Sequence, residues 1–452
     1  MKRRQFLTLF GTSLATGALT RPAFAQSAFQ QLPLRGAINA TSHGVVPDAA
    51  RDQSITFQKM LDSAAERGEP LFLPAGNYVV SEVSIPEGTV LVGMPGRTIL
   101  VLGAGTSILR ATGKNAVHLS NLVLDGGAGR RPVDALLVAK NIEGLSVQDC
   151  IFRRSPADHI RLEACGGKLT GNRFSGAQRF GLFSVDGRDL DIDGNIVSDC
   201  ADGGIIVHRS RAGHDGTRIS GNRVFRIGAH SGGTGQWGNG VNVYRADNVA
   251  ITDNMIDDCV FSAIRANTTR NIQVTGNRCA QSGETAIYAE FSFESAIIAN
   301  NLVTGAASGI SVTNFNEGGR GATVTGNIIR DLTGAGPYPA MAPGFGIGIA
   351  VEADTIVSGN LVDGAPLFGI NAGWGPHLRD VVLQANVIRN AHIGIGVSDA
   401  NGVGQVVIAD NLIAARHGAI RAHRWTEVGG EDLLDLPASV PLHITLSGNQ
   451  VS

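Results

Sequence analysis

The sequence predicts an all-β fold, a right-handed parallel β-helix, on two observations. The first is repetition. From Asp149 to Asn449 one motif recurs: an apolar run, a Gly-Asn or close variant, an apolar residue two positions on, then a second run of alternating apolar positions. The closing asparagines are Asn172, Asn195, Asn222, Asn254, Asn277, Asn301, Asn327, Asn360, Asn386, Asn411 and Asn449, spaced 23 to 38 residues apart. Glycine precedes seven of these eleven, so the match is not chance composition. Internal repetition at this period marks a solenoid. The second observation is the period inside each repeat. Ile264 and Ala266, like Ile310 and Val312, recur at two-residue spacing, and no helical stripe is sustained. A coil of a little over twenty residues holds about three short strands and their turns. Coils stacked in register give parallel sheets with rungs about 4.8 Å apart, and parallel crossovers are right-handed. The asparagines then form a ladder at one corner. Their amides bond to neighbouring coils and their backbone tolerates a left-handed turn, while the preceding glycine relieves steric cost.

Residues 1–25 read as a targeting segment. Lys2-Arg3-Arg4-Gln5-Phe6-Leu7 is a charged start with twin arginine, Phe6 to Leu19 is apolar but too short to span a membrane, and Ala23-Phe24-Ala25 fits a small-x-small cleavage site. The pattern resembles the Arg-Arg-x-Phe-Leu signature of twin-arginine signals. That resemblance implies the twin-arginine translocase as an export partner and a bacterial periplasmic or secreted destination. No later stretch is apolar enough for a membrane span.

Composition bounds the partners. The net charge is −2, and removal of Lys2, Arg3, Arg4 and Arg21 with the segment takes it to −6. A mildly acidic mature chain argues against a nucleic-acid surface. Sixty glycines without a three-residue period mean turns. Five cysteines, Cys150, Cys165, Cys200, Cys259 and Cys279, include no Cys-x-x-Cys pair. Cys200 and Cys259 sit equivalently in their repeats but two rungs apart, about 9.6 Å, too far for a disulfide. Buried free thiols are expected.

Residues 26–93 differ from the repeats and read as a cap, with the solenoid running over 94–452. Ser54 to Arg67 is one amphipathic helix, with Ile55, Met60, Leu61, Ala64 and Ala65 facing inward and Gly68 as its stop. Leu71 to Tyr78 is a strand and tight turn, and Val90 to Gly93 begins the coils. An open solenoid end lacks packing and pairing partners, so a covering helix is expected. At the other end, the loop after Trp425 and a last strand at His443 to Ser447 are expected to shield against edge-to-edge pairing.

Gly44, Asp48, Asp52, the helix with Phe57-Gln58, and Leu73-Pro74-Ala75-Gly76-Asn77-Tyr78 resemble the start of pectate-lyase-like β-helix proteins. That start usually has Gly-Asp-Gly and Asp-Asp-Thr, where this chain has Pro47-Asp48-Ala49 and Asp52-Gln53-Ser54. The whole chain looks like the twin-arginine-exported repetitive proteins of that superfamily. The resemblance implies architecture and a polysaccharide partner. Its members include lyases, epimerases, hydrolases and tailspike-like binders, so the fold does not choose among them.

The candidate site follows from register. Aligning the strand after each corner, from Ile160-Arg161-Leu162-Glu163 to Ile420-Arg421-Ala422-His423, puts first and third positions inward and second and fourth outward. From His208 to Glu290 the outward columns carry His208, Asn242, Tyr244, Arg265, Asn267, Tyr288 and Glu290, with Arg209 and Arg245 directly after the strands. The bland reading is a solvated face with cross-rung pairs such as Arg265 with Glu290. Two lengthened coils favour a site: Arg223 to Asn239 carries Trp237, and Ile328 to Phe345 carries Tyr338 and Phe345. Loops breaking a repeat on one face commonly build a binding site, and aromatics there stack on sugars. Trp374 can do the same.

The strip suits two chemistries. In the first, a uronic-acid polymer loses its C5 proton. Arg265, Arg245 or Arg209 neutralises the carboxylate, and His208 or Tyr244 takes and returns the proton. Elimination makes a lyase, and reprotonation an epimerase. On this reading His208, Tyr244, Arg265 and Glu290 are the catalytic set; Arg209, Asn242, Arg245, Asn267, Tyr288, Trp237 and Glu352 bind substrate. In the second, Glu290 and Glu352, two rungs or about 9.6 Å apart, hydrolyse a glycosidic bond with inversion. A third reading is a non-catalytic binder or envelope solenoid. No cofactor is implied, with calcium at Asp189, Asp191 and Asp193 as the one alternative. Because the inward neighbours of the four catalytic candidates are apolar, replacing one by alanine is expected to cost within about half a kcal/mol.

Overall fold

The computed structural model describes residues 36–127, 132–233, 235–339 and 342–452. The targeting segment lies outside the described residues. The described residues form a parallel β-solenoid of about 14 turns, with a single α-helix among them. A regular coil has three strands, as in Gly203–His214, Arg218–Ser220 and Arg223–Ile227. The next coil repeats them as Asn239–Asp247, Ala250–Thr252 and Met255–Cys259, paired in parallel. We call these the first, second and third sheets in coil order. The eleven-row alignment holds in full for the first sheet. Ile160 pairs with Leu182, then Ile205, Val241, Ile264, Ile287, Ile310, Ile349, Ile370, Ile395 and Ile420 in unbroken register. All eleven are at most 1% exposed and stack into one core running the length of the solenoid.

The asparagines form one continuous ladder. The Oδ1 of Asn195 accepts the backbone N–H of Asn172 at 2.9 Å and its Nδ2 at 3.0 Å, and the same pair of bonds repeats at every step to Asn449. One detail differs from expectation. The left-handed residue is the one before each asparagine: seven glycines, and Asp253, Asn300, Ala385 and Asp410, with φ of 53–69°. The glycine therefore takes the turn, and the asparagine is freed to bond along the axis. Asn277→Ala would leave the Asn254 N–H buried without an acceptor and its Nδ2 with the Ile219 carbonyl alone. Its expected cost is about 3 kcal/mol in denaturant unfolding; a change below about 0.5 kcal/mol would reduce the ladder to ornament.

Helix α1 spans Ser54–Arg67 and ends at Gly68, whose φ of 65° takes the left-handed cap. It packs on the first strands through Phe57, Met60, Leu61 and Ala64. Ile55 was expected inward but is 76% exposed, and Phe57 takes the buried place. The residues of the N-terminal resemblance have local duties: Asp48 Oδ1 accepts from Asn77 N and Nδ2, and Asp52 Oδ1 accepts from Ser54 N. At the far end, Asp432 accepts from the backbone N–H groups of Ala419 and Ile420. Glu427–Val428 pairs antiparallel with the last first-sheet strand, so the loop covers that edge. All five cysteines are buried free thiols, and Cys200 and Cys259 are indeed two rungs apart, with Ile227 between them. Among the described residues, no helix is long and apolar enough to cross a membrane.

Candidate functional site

The outward columns of the first sheet carry the expected side chains, but they divide into two environments. The first begins with a stack. The rings of Phe183, His208 and Tyr244, on three successive coils, stand 5.5 Å apart, edge to face. Arg245 lies over Tyr244 at 4.7 Å. Burial lowers the His208 pKa to about 4, and its Nε2 has no partner. His208 is therefore a neutral ring at pH 7 and a weak base. Arg209 Nη1 donates to the Gly187 carbonyl at 3.1 Å and lies 3.8 Å from buried Asp215.

One coil on, the polar side chains satisfy each other. Arg265 makes a two-pronged pair with Glu290, Nε to Oε1 at 2.6 Å and Nη2 to Oε2 at 2.8 Å, and its Nη1 donates to Glu284 at 3.1 Å. Asn267 Nδ2 fills the remaining approach to Glu290 at 2.9 Å. The side chains of Arg265, Glu284 and Glu290 are 11%, 3% and 3% exposed. These are buried charges, so the expectation that alanine at Arg265 or Glu290 costs little is overturned. The cross-rung pair weighed as the bland reading is present.

The long loops explain the burial. Residues 228–233 leave the third sheet, and residues 235–238 fold over the first. Asn242 Nδ2 donates to the Gln236 carbonyl at 3.2 Å, and Asn239 Nδ2 to that of Gly235 at 2.8 Å. Gly235, at φ 120°, rests so close to Arg265 that a Cβ there would overlap the guanidinium. Trp237 packs on Phe180 at 5.6 Å, away from the cavity described next. The second loop, described over 331–339 and 342–348, is held by Tyr338, whose hydroxyl donates to Glu284 Oε1 at 2.5 Å. An acid three residues before the strand's first inward position anchors each loop: Asp202 accepts from Ser231 N and Oγ, and Glu284 from Tyr338. Glu284 was missed from the sequence, although this shared position with Asp202 was readable.

Beyond Arg265 the face opens into a cavity of about 350 Å³. Its floor is Tyr288, Ser311, Thr313, Ala350, Glu352 and Asn371, and its sides are Tyr338, Pro343 and Phe345 opposite Asn314 and Trp374. Of the residues singled out from the sequence, Tyr288, Glu352 and the aromatics Tyr338, Phe345 and Trp374 line it; His208, Arg209, Asn242, Tyr244, Arg245, Arg265, Asn267, Glu290 and Trp237 do not. Glu352 is 7% exposed, its Oε2 accepts the Phe315 N–H at 2.6 Å, and burial raises its pKa to about 7. Burial likewise lifts Tyr288 to about 12, so it holds its proton, with the Arg265 guanidinium over its ring at 5.2 Å. Asn371 Oδ1 faces His423 Nε2 at 2.9 Å. The three aspartates weighed for calcium are otherwise engaged or apart. The strand starts at Leu190, leaving Asp189 in a turn beside His214, while Asp191 pairs with Arg218 and Asp193 accepts from Ser220.

Comparison with known proteins agrees with the solenoid. Residues 158–317 and 213–379 match the family model described as right handed beta helix region. Residues 37–162 match that of rhamnogalacturonase A/epimerase, pectate lyase-like. Matches and architecture together support a place in the pectate-lyase-like right-handed β-helix superfamily. No curated protein matches the chain significantly. Among solved structures, the A-module of mannuronan C-5 epimerase AlgE4 from Azotobacter vinelandii superposes with a TM-score of 0.52 at 16% identity, over 79% of this chain and 96% of that one. The catalytic unit of the GH87 alpha-1,3-glucanase from Streptomyces thermodiastaticus strain HF3-3 gives 0.45 at 14% identity, over 92% and 69%. The Dettilon tailspike protein gives 0.48 at 16%, over 86% and 69%. At these identities the likeness is one of fold.

Proposed function

We propose that this protein is a carbohydrate-active β-helix enzyme that moves the C5 proton of a uronic-acid residue held in the cavity, as a lyase or a C5-epimerase. The observation that carries this reading is Glu352, a buried carboxyl facing Tyr288 across a floor of small side chains. Two rungs and two strand positions separate them, roughly 12 Å between backbones, which leaves room for one sugar between the side chains. Glu352, poised near neutral pH, takes the proton. Tyr288 keeps its own proton and donates it, to the leaving oxygen in elimination or to the opposite face of C5 in epimerisation. The developing charge on the uronate is met by neutral donors, the Ser311 and Thr313 hydroxyls and the Asn371 amide.

Hydrolysis by a carboxylate pair is less well served. Both oxygens of Glu290 are committed to Arg265 and Asn267. Glu284, the other carboxyl at the cavity, lies six strand positions and two rungs from Glu352. That is roughly 20 Å along the strand, against about 6.5–9.5 Å between carboxyls in inverting enzymes. The test is a panel of polysaccharides read three ways: absorbance of unsaturated uronate, release of reducing ends, and incorporation of solvent deuterium at C5. A lyase gives the first two signals, and an epimerase only the third. Reducing ends alone mean hydrolysis and sink the proposal, and silence in all three leaves a binder.

We also propose that residues 1–25 direct twin-arginine export to the periplasm or beyond. Replacing Arg3 and Arg4 by lysine should hold the precursor in the cytoplasm. Export in a strain lacking that translocase would refute the assignment.

A further inference from the structure

The outer face of the first sheet is not a continuous groove. On the N-terminal side the cavity meets the Arg265, Glu284 and Glu290 cluster, whose side chains are at most 11% exposed. These groups fill the face at their own coils, Gly235 lies on Arg265, and Tyr338 closes the corner by its bond to Glu284. A sugar strand running along the axis has no floor to lie on there.

The C-terminal side is closed as well. The coil after Asn371 presents Gly396 and Ser398 outward, and neighbouring coils fill the space these small residues leave. A Cβ at Gly396 would meet Asn371 Oδ1 at 2.7 Å and the Phe368 ring at 2.8 Å. His423, two coils on, reaches back to Asn371, and its ring stacks on Phe368 at 5.6 Å. Trp374 lies 5.8 Å from His423 and meets Trp425 edge to face at 5.7 Å, so two tryptophans and a histidine form an end wall.

Between these walls the floor runs from the coil of Tyr288 to that of Asn371, three rungs or about 14 Å. A volume near 350 Å³ lies at the small end of ligand sites and holds about two sugar rings. We infer that the cavity receives the end of a glycan chain or a short oligosaccharide, and not an internal stretch of a long polymer. The inference rests on the carbohydrate reading of this cavity, but not on which reaction follows.

A size series separates the two. Uronate oligosaccharides from disaccharide to hexasaccharide, prepared from polymannuronate and from polygalacturonate, are titrated into the Trp237→Phe protein, in which the end-wall pair Trp374 and Trp425 carries the fluorescence signal. The wild-type protein is titrated calorimetrically alongside. Affinity should level off at two or three sugars, and the parent polymer should bind in proportion to its chain ends. With an active polymer, small products should accumulate while viscosity falls slowly. Affinity that keeps rising by tenfold or more from trisaccharide to hexasaccharide, or a rapid early fall in viscosity, overturns the inference and leaves the proposed chemistry standing. Binding of none of the oligosaccharides overturns both.

Discussion

Glu352→Gln should lower turnover on the processed polymer by roughly a hundredfold to ten-thousandfold, the usual worth of a positioned acid or base. The same change should make the protein more stable at pH 8. In the folded chain Glu352 titrates near 7, against an ordinary 4.5. Between those values the folded state binds more protons than the unfolded state, so stability falls as pH rises from 4.5 to 7 and levels off above. The shift is worth on the order of 3 kcal/mol for this 7%-exposed group. Glutamine keeps the acceptor for the Phe315 N–H and never ionises, so that slope should vanish. Denaturant unfolding at pH 4.5 and pH 8, beside turnover measurements, checks both halves. A variant both inactive and destabilised at pH 8 would return Glu352 to the scaffold.

Arg265→Ala should cost about 3–5 kcal/mol, because it leaves the Glu290 and Glu284 carboxyls buried without their cation. Arg265→Met combined with Glu290→Leu and Glu284→Gln removes the charges together and should recover most of that loss. Unfolding followed by circular dichroism decides it. A loss below about 1 kcal/mol for the single change would mean that water reaches these carboxylates. A full loss in the triple variant would mean that the cluster acts through shape rather than charge.

Much of this architecture is legible in the sequence. The strand period and the Gly-Asn repeat place Ile160, Ile264 and Ile420 in one column, because a solenoid maps sequence position directly onto space. Helix α1 was legible to the residue through its apolar face and Gly68, but not its rotation, since Ile55 and Phe57 both fit an amphipathic pattern. The cavity was harder to read. Tyr288 and Glu352 stood in the correct columns beside Arg265 and Glu290. Whether an outward charge is free or engaged depends on a loop whose path the repeat does not specify. Gly235 pressing on Arg265, and Tyr338 reaching Glu284 from 54 residues away, are such contacts. His208 looked like a base because histidine ordinarily titrates near neutrality. Stacked between Phe183 and Tyr244, it loses the water that would stabilise its cation.

The asparagine ladder also gives the molecule a head and a tail. At each of the ten steps the Nδ2 of one asparagine donates to the Oδ1 of its C-terminal neighbour, so the amides of the ladder share one orientation. The two directions of trimming are then unequal. Removing the coil of Asn172 strands the Asn195 Oδ1, which a folded interior tolerates comparatively well, and leaves the Asn195 Nδ2 bonded to Asn222 after losing the Leu169 carbonyl. Removing the coil of Asn449 strands the backbone N–H of Asn411, while its Nδ2 keeps the Leu383 carbonyl, and orphaned buried N–H groups are the rarer and costlier kind. Coils should therefore be subtracted or grafted more readily at the leading side of the stack. An extension at the trailing side must supply an asparagine in phase with Asn449.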